Sequence, residues 1–243
     1  PGLAATLKRN LARQEGRPRL FELGRVFHRG PDAPVETLRV AAVATGNAEA
    51  EQWSESKRPL DFYDLKGDVE SLLALTADAH SVRFEATRDS WLHPGRSADI
   101  WRGSECIGHL GFLHPRLLRA LDLDQEVAVF DADVEALVRR SVPKAFPVSR
   151  FPAVRRDISV LVGSQHPWSA LASAVQRCLG SRLVTVFVFD QYQGPGVEAG
   201  FRSLAMGLIL QDVSRTLTDH DADHAVAEVL ATLAREFGAK LRG

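Results

Sequence analysis

The spacing of hydrophobic and polar positions changes along the chain and predicts two groups of secondary-structure elements. Over residues 1–140, short apolar or alternating segments favour strands, whereas Leu65, Val69 and Leu72 recur at the spacing of one helix face. Strands are predicted at 19–28, 38–45, 82–86, 98–102, 106–112 and 127–131, and helices at 62–75, 115–121 and 134–139. So many strands with few long helices indicate a mostly antiparallel sheet with helices packed on it.

The pattern after residue 150 is simpler. Strands are predicted at 157–162, 183–192, 203–211 and 239–242, and helices at 167–179 and 218–237. Pro167 and Gly180 bracket the first helix with residues that favour a helix start and a helix end, and Thr218 is suited to cap the second. The resulting order, β-α-β-β-α-β, is that of ferredoxin-like domains.

A segment rich in proline separates the two groups. Pro143 and Pro147 interrupt the periodic pattern and restrict the preceding residues to extended conformations. We therefore predict two domains, 1–145 and 146–243, and an α+β fold class for the chain.

Composition and charge exclude several classes of protein. Of the 243 residues, 45% are hydrophobic and 25% are charged, which is the balance of a folded globular protein rather than a disordered or fibrous one. The formal net charge of −1 provides no global attraction to nucleic acid or to an anionic membrane, so a polyanion must be bound locally. No apolar segment approaches the ~20 residues that span a bilayer, and we expect no membrane association.

Cysteine usage and the first residues suggest the compartment and the extent of the chain. Cys106 and Cys178 lack C-x-x-C spacing, which argues against a disulfide framework or a thiolate zinc site and favours the reducing cytoplasm. The chain begins without Met and within a helical spacing of Leu3, Leu7 and Leu11. We therefore expect a fragment of a longer protein.

The motifs that could carry enzyme chemistry are weak. His220 and His224 are four residues apart, but Asp221 stands where a zinc-protease helix has glutamate, and a solvated helix start is favoured. The glycine-rich segment 194–200 joins two strands, which predicts a hairpin loop rather than a phosphate site. A second histidine group adjoins Gly or Pro, which favours turn elements over a zinc site. Its members are His93, His109 and His114.

A surface of the second domain remains as a candidate site. A ferredoxin-like sheet has one face covered by helices, and aromatic and arginine side chains on its other face can bind unpaired bases and phosphates. The formal charge is +2 from residue 141 onward and −3 before it, which is the sign that RNA binding needs. The alternative is that Phe189 belongs to the core and that the arginines are solvated strand ends. The candidates are Arg155, Arg156, Phe189, Tyr192, Arg202 and Arg215.

Short segments in both predicted domains match a known pattern in spacing and order. In the second domain they are FPAVRRD at 151–157, FDQYQG at 189–194, RSLA at 202–205, RTLTD at 215–219 and FGAKLR at 237–242. In the first they are LFELGRVF at 20–27, DFYDLKGD at 61–68, HPGRSA at 93–98 and GHLGFLHP at 108–115. Over nearly all of its length, the chain resembles the C-terminal region of the bacterial phenylalanyl-tRNA synthetase β chain.

The resemblance implies an inactive class II synthetase-like module followed by a ferredoxin-fold anticodon-binding domain. It implies a β subunit of phenylalanine–tRNA ligase that contacts the catalytic α chain in an (αβ)₂ heterotetramer and binds the anticodon of tRNA(Phe). The class II motif G-x-G-x-G followed by Arg is absent from residues 1–140. We therefore expect this fragment alone to be inactive, with no catalytic residue, no metal ligand and no bound cofactor. The whole enzyme uses ATP and Mg²⁺, and its further N-terminal parts lie outside this sequence.

The resemblance also assigns roles to individual residues. Tyr192 matches the aromatic residue on which an anticodon base stacks, and the arginines and Ser203 are expected around the same sheet surface. The family often has Lys-Ser at positions 202–203, so Arg202 keeps the positive charge but changes the hydrogen-bond geometry. The complete predicted RNA-binding set is Tyr192, Arg155, Arg156, Arg202, Ser203, Phe189 and Arg215.

Two other functions are compatible with the residues. The first is a ferredoxin-like domain that binds a small regulatory ligand such as an amino acid. The second is a metal-dependent hydrolase that uses one of the histidine groups. Saturable binding of phenylalanine without binding of tRNA would favour the first, and stoichiometric zinc would favour the second.

Overall fold

The computed structural model describes residues 2–76, 82–140 and 148–242. The chain divides into two compact units, Pro1–Lys144 and Ala145–Gly243. The domain boundary predicted at residue 145, together with both prolines that indicated it, lies outside the described residues.

The first unit contains one six-stranded antiparallel sheet with the order β1-β2-β6-β5-β4-β3. Its helices are α1 (Gly2–Ala12), α2 (Phe62–Ala74), α3 (Pro115–Leu121) and α4 (Val134–Val138). Its strands are β1 (Arg19–His28), β2 (Val35–Ala44), β3 (Val82–Ala86), β4 (Leu92–Arg102), β5 (Glu105–Leu113) and β6 (Ala128–Asp133). The mostly antiparallel sheet predicted from the sequence is confirmed.

In the first unit, two strands begin three or more residues earlier than their hydrophobic pattern predicts. β2 starts at Val35 because it pairs with β1 over the whole hairpin, down to His28 opposite Val35. β4 starts at Leu92 and includes Pro94 and Gly95, which had indicated a turn. A register irregularity against β5 follows Leu92 and accommodates these two residues within the strand.

Both faces of the first sheet are covered by apolar side chains. α2 packs on one face, where Leu65 and Val69 join the core formed by Ile100 and Phe112. α1 and α3 cover the other face, and Leu7 is fully buried there. A capping box fixes the start of α2, because Asp61 accepts from the Asp64 amide while Asp64 accepts from the Asp61 amide.

The second unit is a four-stranded antiparallel sheet with the order β10-β7-β9-β8. Its strands are β7 (Val154–Gly163), β8 (Leu183–Tyr192), β9 (Phe201–Leu210) and β10 (Lys240–Leu241), and its helices are α5 (Trp168–Leu179) and α6 (Asp219–Phe237). This order of elements confirms the predicted ferredoxin-like fold. The helices bury Val160, Met206 and Leu208 on one face of the sheet.

Local chemistry fixes the ends of α6. Thr218 forms a capping box with Asp221, and Gly238 ends the helix in the left-handed conformation, with φ of 63°. At 19 residues α6 is the longest of the described helices. Within the part of the chain that the structure describes, no helix has both the length and the apolarity that a membrane crossing requires.

Candidate nucleic-acid interface

Strand alternation divides the second sheet into a helix-covered face and an open face. Residues that face each other across paired strands share a side of the sheet, and the buried Val160 and Leu204 define the side under the helices. Among the elements described for the second unit, no helix packs on the opposite side. This open face is formed by Arg155, Asp157, Ser159 and Leu161 of β7, Ser203, Ala205, Gly207 and Ile209 of β9, and Phe187 and Tyr192 of β8.

Small residues run along the open face of β9, the strand between β7 and β8. Ser203, Ala205 and Gly207 occupy three successive positions on this side. A β-carbon on Gly207 would lie only 2.6 Å from Cζ of Phe187, so the Phe187 ring lies directly over this glycine. The trough of small residues therefore gives the aromatic side chains of β8 room to extend toward β7.

Arg155 meets these aromatic rings from the far side of the trough. Its guanidinium carbon lies 5.3 Å from the ring centroid of Phe187 and 5.5 Å from that of Phe189. Asp157 holds the guanidinium through two hydrogen bonds of 2.8 and 3.1 Å, and the hydrogen bonding raises the pKa of Arg155 above its ordinary value. The arginine therefore stays charged, and 49% of the Phe189 surface remains accessible beside it.

Tyr192 ends β8 opposite Ser203 and keeps 38% of its surface accessible. Its hydroxyl donates to the carbonyl oxygen of Pro195 at 3.1 Å, and a β-carbon on Gly194 would collide with the phenol oxygen at 2.7 Å. The predicted hairpin loop at 194–200 is present and orients the ring. Arg242 lies over the same ring, with its guanidinium carbon 5.2 Å from the ring centroid.

A break in strand register places Tyr192 on the open face. Phe187 and Tyr192 are five residues apart, and in a regular strand they would point to opposite sides. The pairing with β9 shifts between Val188 and Asp190, so Phe189 has no direct partner. After the shift Tyr192 pairs with Ser203, on the same side as Phe187 and Gly207.

Both units match known protein families. The family model of the phenylalanyl tRNA synthetase beta chain CLM domain matches residues 1–134, more than half of the chain. The chain belongs to the phenylalanyl-tRNA synthetase β chain family. The ferredoxin-fold anticodon binding domain matches residues 149–242, which contain the open face.

Curated relatives of this synthetase family align over the whole chain. The phenylalanine–tRNA ligase beta subunit of Xanthomonas campestris pv. campestris is 53% identical over 246 residues, and that of Xylella fastidiosa is 48% identical over 245. In both cases the alignment covers 100% of this chain and 31% of the relative. The chain thus spans about a third of the length of these synthetase subunits.

Two arginines predicted on the same surface as Tyr192 lie on the helix-covered face of the anticodon-binding domain. Arg156 donates to Asp219 at 2.6 Å and to Asp223 at 3.1 Å, both in α6. Arg202 donates to the carbonyl oxygen of His166 at 2.6 Å. The expectation that these two arginines flank Tyr192 was wrong, because each has the same strand parity as the buried core residues.

Ser203 and Arg215 differ in their relation to the open face. Ser203 lies on it beneath Tyr192, is buried, and shares a 3.2 Å hydrogen bond with Ser159. Arg215 follows β9 and binds both carboxylate oxygens of Asp221, at 2.6 and 2.8 Å. It therefore supports the capping box of α6, and the placement predicted for it around the open face was wrong.

The set predicted from the sequence missed Phe187 and Arg242. Phe187 belongs to the open face, and Arg242 contacts Tyr192 although it follows the short strand β10. A usable signal was present in β9, where small residues at 203, 205 and 207 alternate with large apolar residues at 204, 206 and 208. Such alternation indicates that the side of the strand with small residues packs against large side chains of the neighbouring strands.

The histidines that were weighed as metal ligands have separate surroundings. The ring nitrogens of His93 and His114 accept from the backbone amides of Gly95 and Arg116, both at 3.1 Å. His114 caps α3, whereas His93 lies inside β4 although a turn was predicted there. His109 also lies inside a strand, β5, so a turn role is wrong for this residue. His224 pairs with Glu228 at 3.2 Å.

The first unit exposes large apolar side chains along one edge of its sheet. β1 is an edge strand, and 78% of Phe21 and 66% of Phe27 are accessible. Leu23 and Val26 are also exposed on this strand. Soluble monomers rarely expose several large apolar residues on an unpaired edge, so β1 has the properties of a contact surface.

Proposed function

We propose that this chain is part of a phenylalanine–tRNA ligase β subunit and that its second unit binds the anticodon of tRNA(Phe). The observation that carries the proposal is the accessible Tyr192 ring on the open face, with a charged guanidinium beside it. An aromatic platform next to positive charge is the arrangement with which proteins bind unpaired bases.

The open face offers separate contacts to bases and to phosphates. Tyr192 and Phe189 present ring surface on which an anticodon base would stack, and such stacking contributes about 1–3 kcal/mol per base. Arg155 and Arg242 would meet phosphates or base edges, because both guanidinium groups lie over the rings. Ser203 would support Tyr192 from beneath rather than touch the RNA.

We further propose that the first unit is a non-catalytic scaffold that contacts the α chain in an (αβ)₂ heterotetramer. The exposed edge strand β1 supports this role, because the α chain would cover its apolar side chains. Phenylalanine activation with ATP and Mg²⁺ would take place on the α chain. The whole enzyme would then be an ATP-dependent ligase of the cytoplasm, in which this chain supplies binding surfaces.

Anticodon binding is tested with a fluorescently labelled anticodon stem-loop of tRNA(Phe), whose anisotropy is followed as the chain is added. We expect saturable binding that weakens when the anticodon bases are replaced, with a logarithmic salt slope near 0.7 per phosphate contact. Calorimetric titration with phenylalanine tests the alternative that the second unit binds a small regulatory ligand. Saturable binding of the amino acid together with no binding of the stem-loop would overturn the proposal.

The scaffold role is tested by co-purification with the α chain of a relative. Phe21→Ser and Phe27→Ser remove apolar area from β1 and are expected to reduce recovery of the α chain. Trp53→Ser serves as the control, because Trp53 is 98% accessible but lies outside β1. Equal recovery with all three variants would exclude β1 as the contact.

A further inference from the structure

A row of ionisable side chains crosses the sheet of the first unit. Asp99 of β4 stands opposite His109 of β5, and His109 stands opposite Asp131 of β6. Residues paired in this way share one side of a sheet. The Nδ1 atom of His109 lies 2.8 Å from a carboxylate oxygen of Asp99 and 3.4 Å from one of Asp89.

Cys106 completes a group of possible metal ligands. It pairs with Trp101, two residues along β4 from Asp99. One ligand atom from each of Asp99, Cys106 and His109 lies within 4.8 Å of the others. We call these three residues the Asp99 cluster. It joins a carboxylate, a thiol and an imidazole from two adjacent strands, so the sheet itself fixes the spacing of the backbone positions.

Asp99 differs from the neighbouring acidic residues of this row in the charged groups that bind it. Asp131 is bound by Arg39 at 2.7 Å, and Glu85, which stands opposite Asp99 on β3, is bound by Arg83 at 2.6 Å. Among the residues that the structure describes, neither Asp99 nor Asp89 contacts an arginine or a lysine. Two carboxylates therefore converge on a single imidazole nitrogen without a fixed positive charge to balance them.

The chemistry of the three ligands selects the kind of ion. Zinc is held by thiolate, imidazole and carboxylate together, whereas magnesium and calcium prefer oxygen ligands alone. In tetrahedral zinc sites neighbouring ligand atoms are about 3.3–3.6 Å apart. Zinc binding would therefore require the Asp99 oxygen and the His109 nitrogen to move apart from 2.8 Å, and a ligand pair near the 4.8 Å limit to approach by about 1 Å, both through side-chain rotations. We propose that Asp99, Cys106 and His109 bind one Zn²⁺ ion, with Asp89 or water as the fourth ligand.

The ligands of the proposed site are separated in the sequence, which explains why no motif reveals them. The zinc proposal replaces the expectation that the fragment has no metal ligand, which rested on the absence of C-x-x-C spacing and on the weakness of the histidine motifs. Asp99 and His109 are ten residues apart in the chain and meet only through the pairing of β4 with β5.

The proposal is tested on the whole chain after removal of metal with a chelator. Zinc content is measured after dialysis against buffered zinc, and Co²⁺ is added separately as a spectroscopic probe. We expect one zinc per chain and a thiolate-to-cobalt charge-transfer band. Zinc should also slow alkylation of the exposed Cys106 at least tenfold, while Cys178, which lies in the other unit, provides an internal reference.

Variants identify the ligands. Cys106→Ser and Asp99→Asn change few atoms, and each should weaken zinc binding by more than about 100-fold, because loss of a supporting group alone costs 10–100-fold. His28→Gln, an exposed histidine at the end of β1, is the control and should bind zinc as the unmodified chain does. Circular dichroism verifies the fold of each variant. Substoichiometric zinc in the unmodified chain, or unchanged affinity in both ligand variants, would overturn the proposal.

Discussion

Arg242 and Tyr192 lie in contact across the open face, with the guanidinium carbon 5.2 Å from the ring centroid. Strands β7 and β9 lie between β8, which ends at Tyr192, and β10, which Arg242 follows. The backbone amide of Arg242 donates to the Ser159 carbonyl at 2.9 Å, which fixes the chain end beside β7. One side of the phenol ring is therefore occupied by a cation, and an incoming base must stack on the other side or displace Arg242.

Removing the Tyr192 ring should weaken anticodon binding. Tyr192→Ala is expected to lower affinity for the tRNA(Phe) stem-loop about tenfold or more, because a stacked base contributes about 1–3 kcal/mol. Tyr192→Phe retains the ring and loses only the hydrogen bond to Pro195, so its affinity should stay close to that of the unmodified chain. Fluorescence anisotropy measures both. Unchanged affinity in Tyr192→Ala would refute the stacking role.

Two adjacent arginines should behave differently. Arg155→Ala removes a cation from the open face and is expected to reduce stem-loop affinity several-fold and to lower the salt slope by about 0.7. Arg156→Ala breaks ion pairs to α6 on the other face, so it should leave RNA affinity nearly unchanged. Binding curves at three salt concentrations make the comparison. An equal loss of affinity in both variants would contradict the assignment of the two faces.

Filling the trough beneath Phe187 should disturb the aromatic platform. Gly207→Ala places a β-carbon 2.6 Å from the ring, which must shift from its position over the trough and change its contact with Arg155. Overpacking of this kind costs about 1–3 kcal/mol, and we expect weaker stem-loop binding as well. Urea unfolding and anisotropy measure the two effects. Gly24→Ala is the control, because a β-carbon there meets no atom within 4 Å and should cost little.

The ion pair at the start of α2 should make the free energy of unfolding depend on pH in the acidic range. Arg58 binds both carboxylate oxygens of Asp64 at 2.6 Å, and this hydrogen bonding is the main cause that lowers the pKa of Asp64 to about 2. The folded-state pKa of Asp64 lies below the unfolded value of about 3.9. The contribution of this ion pair to the free energy of unfolding is therefore present above the unfolded pKa and is lost as the pH falls toward 2.

Asp64→Asn should remove this part of the pH dependence. The pair is partly exposed, so we expect a loss of only about 0.5–1 kcal/mol in the free energy of unfolding at pH 7 and a smaller difference near pH 2. Thermal unfolding followed by circular dichroism at several pH values measures the change. A difference between the two proteins that grows as the pH falls would contradict the sign of this linkage.

The sequence predicts the elements of the fold well because they follow local patterns. β1, β3, β8 and α3 have the predicted bounds, and the order of elements in the second unit sufficed to identify its topology. The exceptions depend on contacts with other strands. Nothing local indicates that β4 continues through Pro94 and Gly95, because that extension depends on its pairing with β5.

The candidate site is less predictable than the fold, although strand parity places two of its arginines. Arg156 is two residues before the buried Ile158, and Arg202 is two residues before the buried Leu204. These spacings alone place both arginines under the helices. The partnership of Arg242 with Tyr192 could not be predicted, because it depends on how β10 joins the sheet beside β7.

Phe189 is the extra residue of β8 at the register break, because the pairing with β9 passes from Val188 to Asp190 without it. If Phe189 were deleted, Phe187 and Tyr192 would be four residues apart, the strand would become regular, and Tyr192 would still point to the open face. The deletion would therefore remove one ring of the aromatic platform and leave the phenol in place. Loss of this residue and its replacement by a small side chain should thus have similar effects on RNA binding.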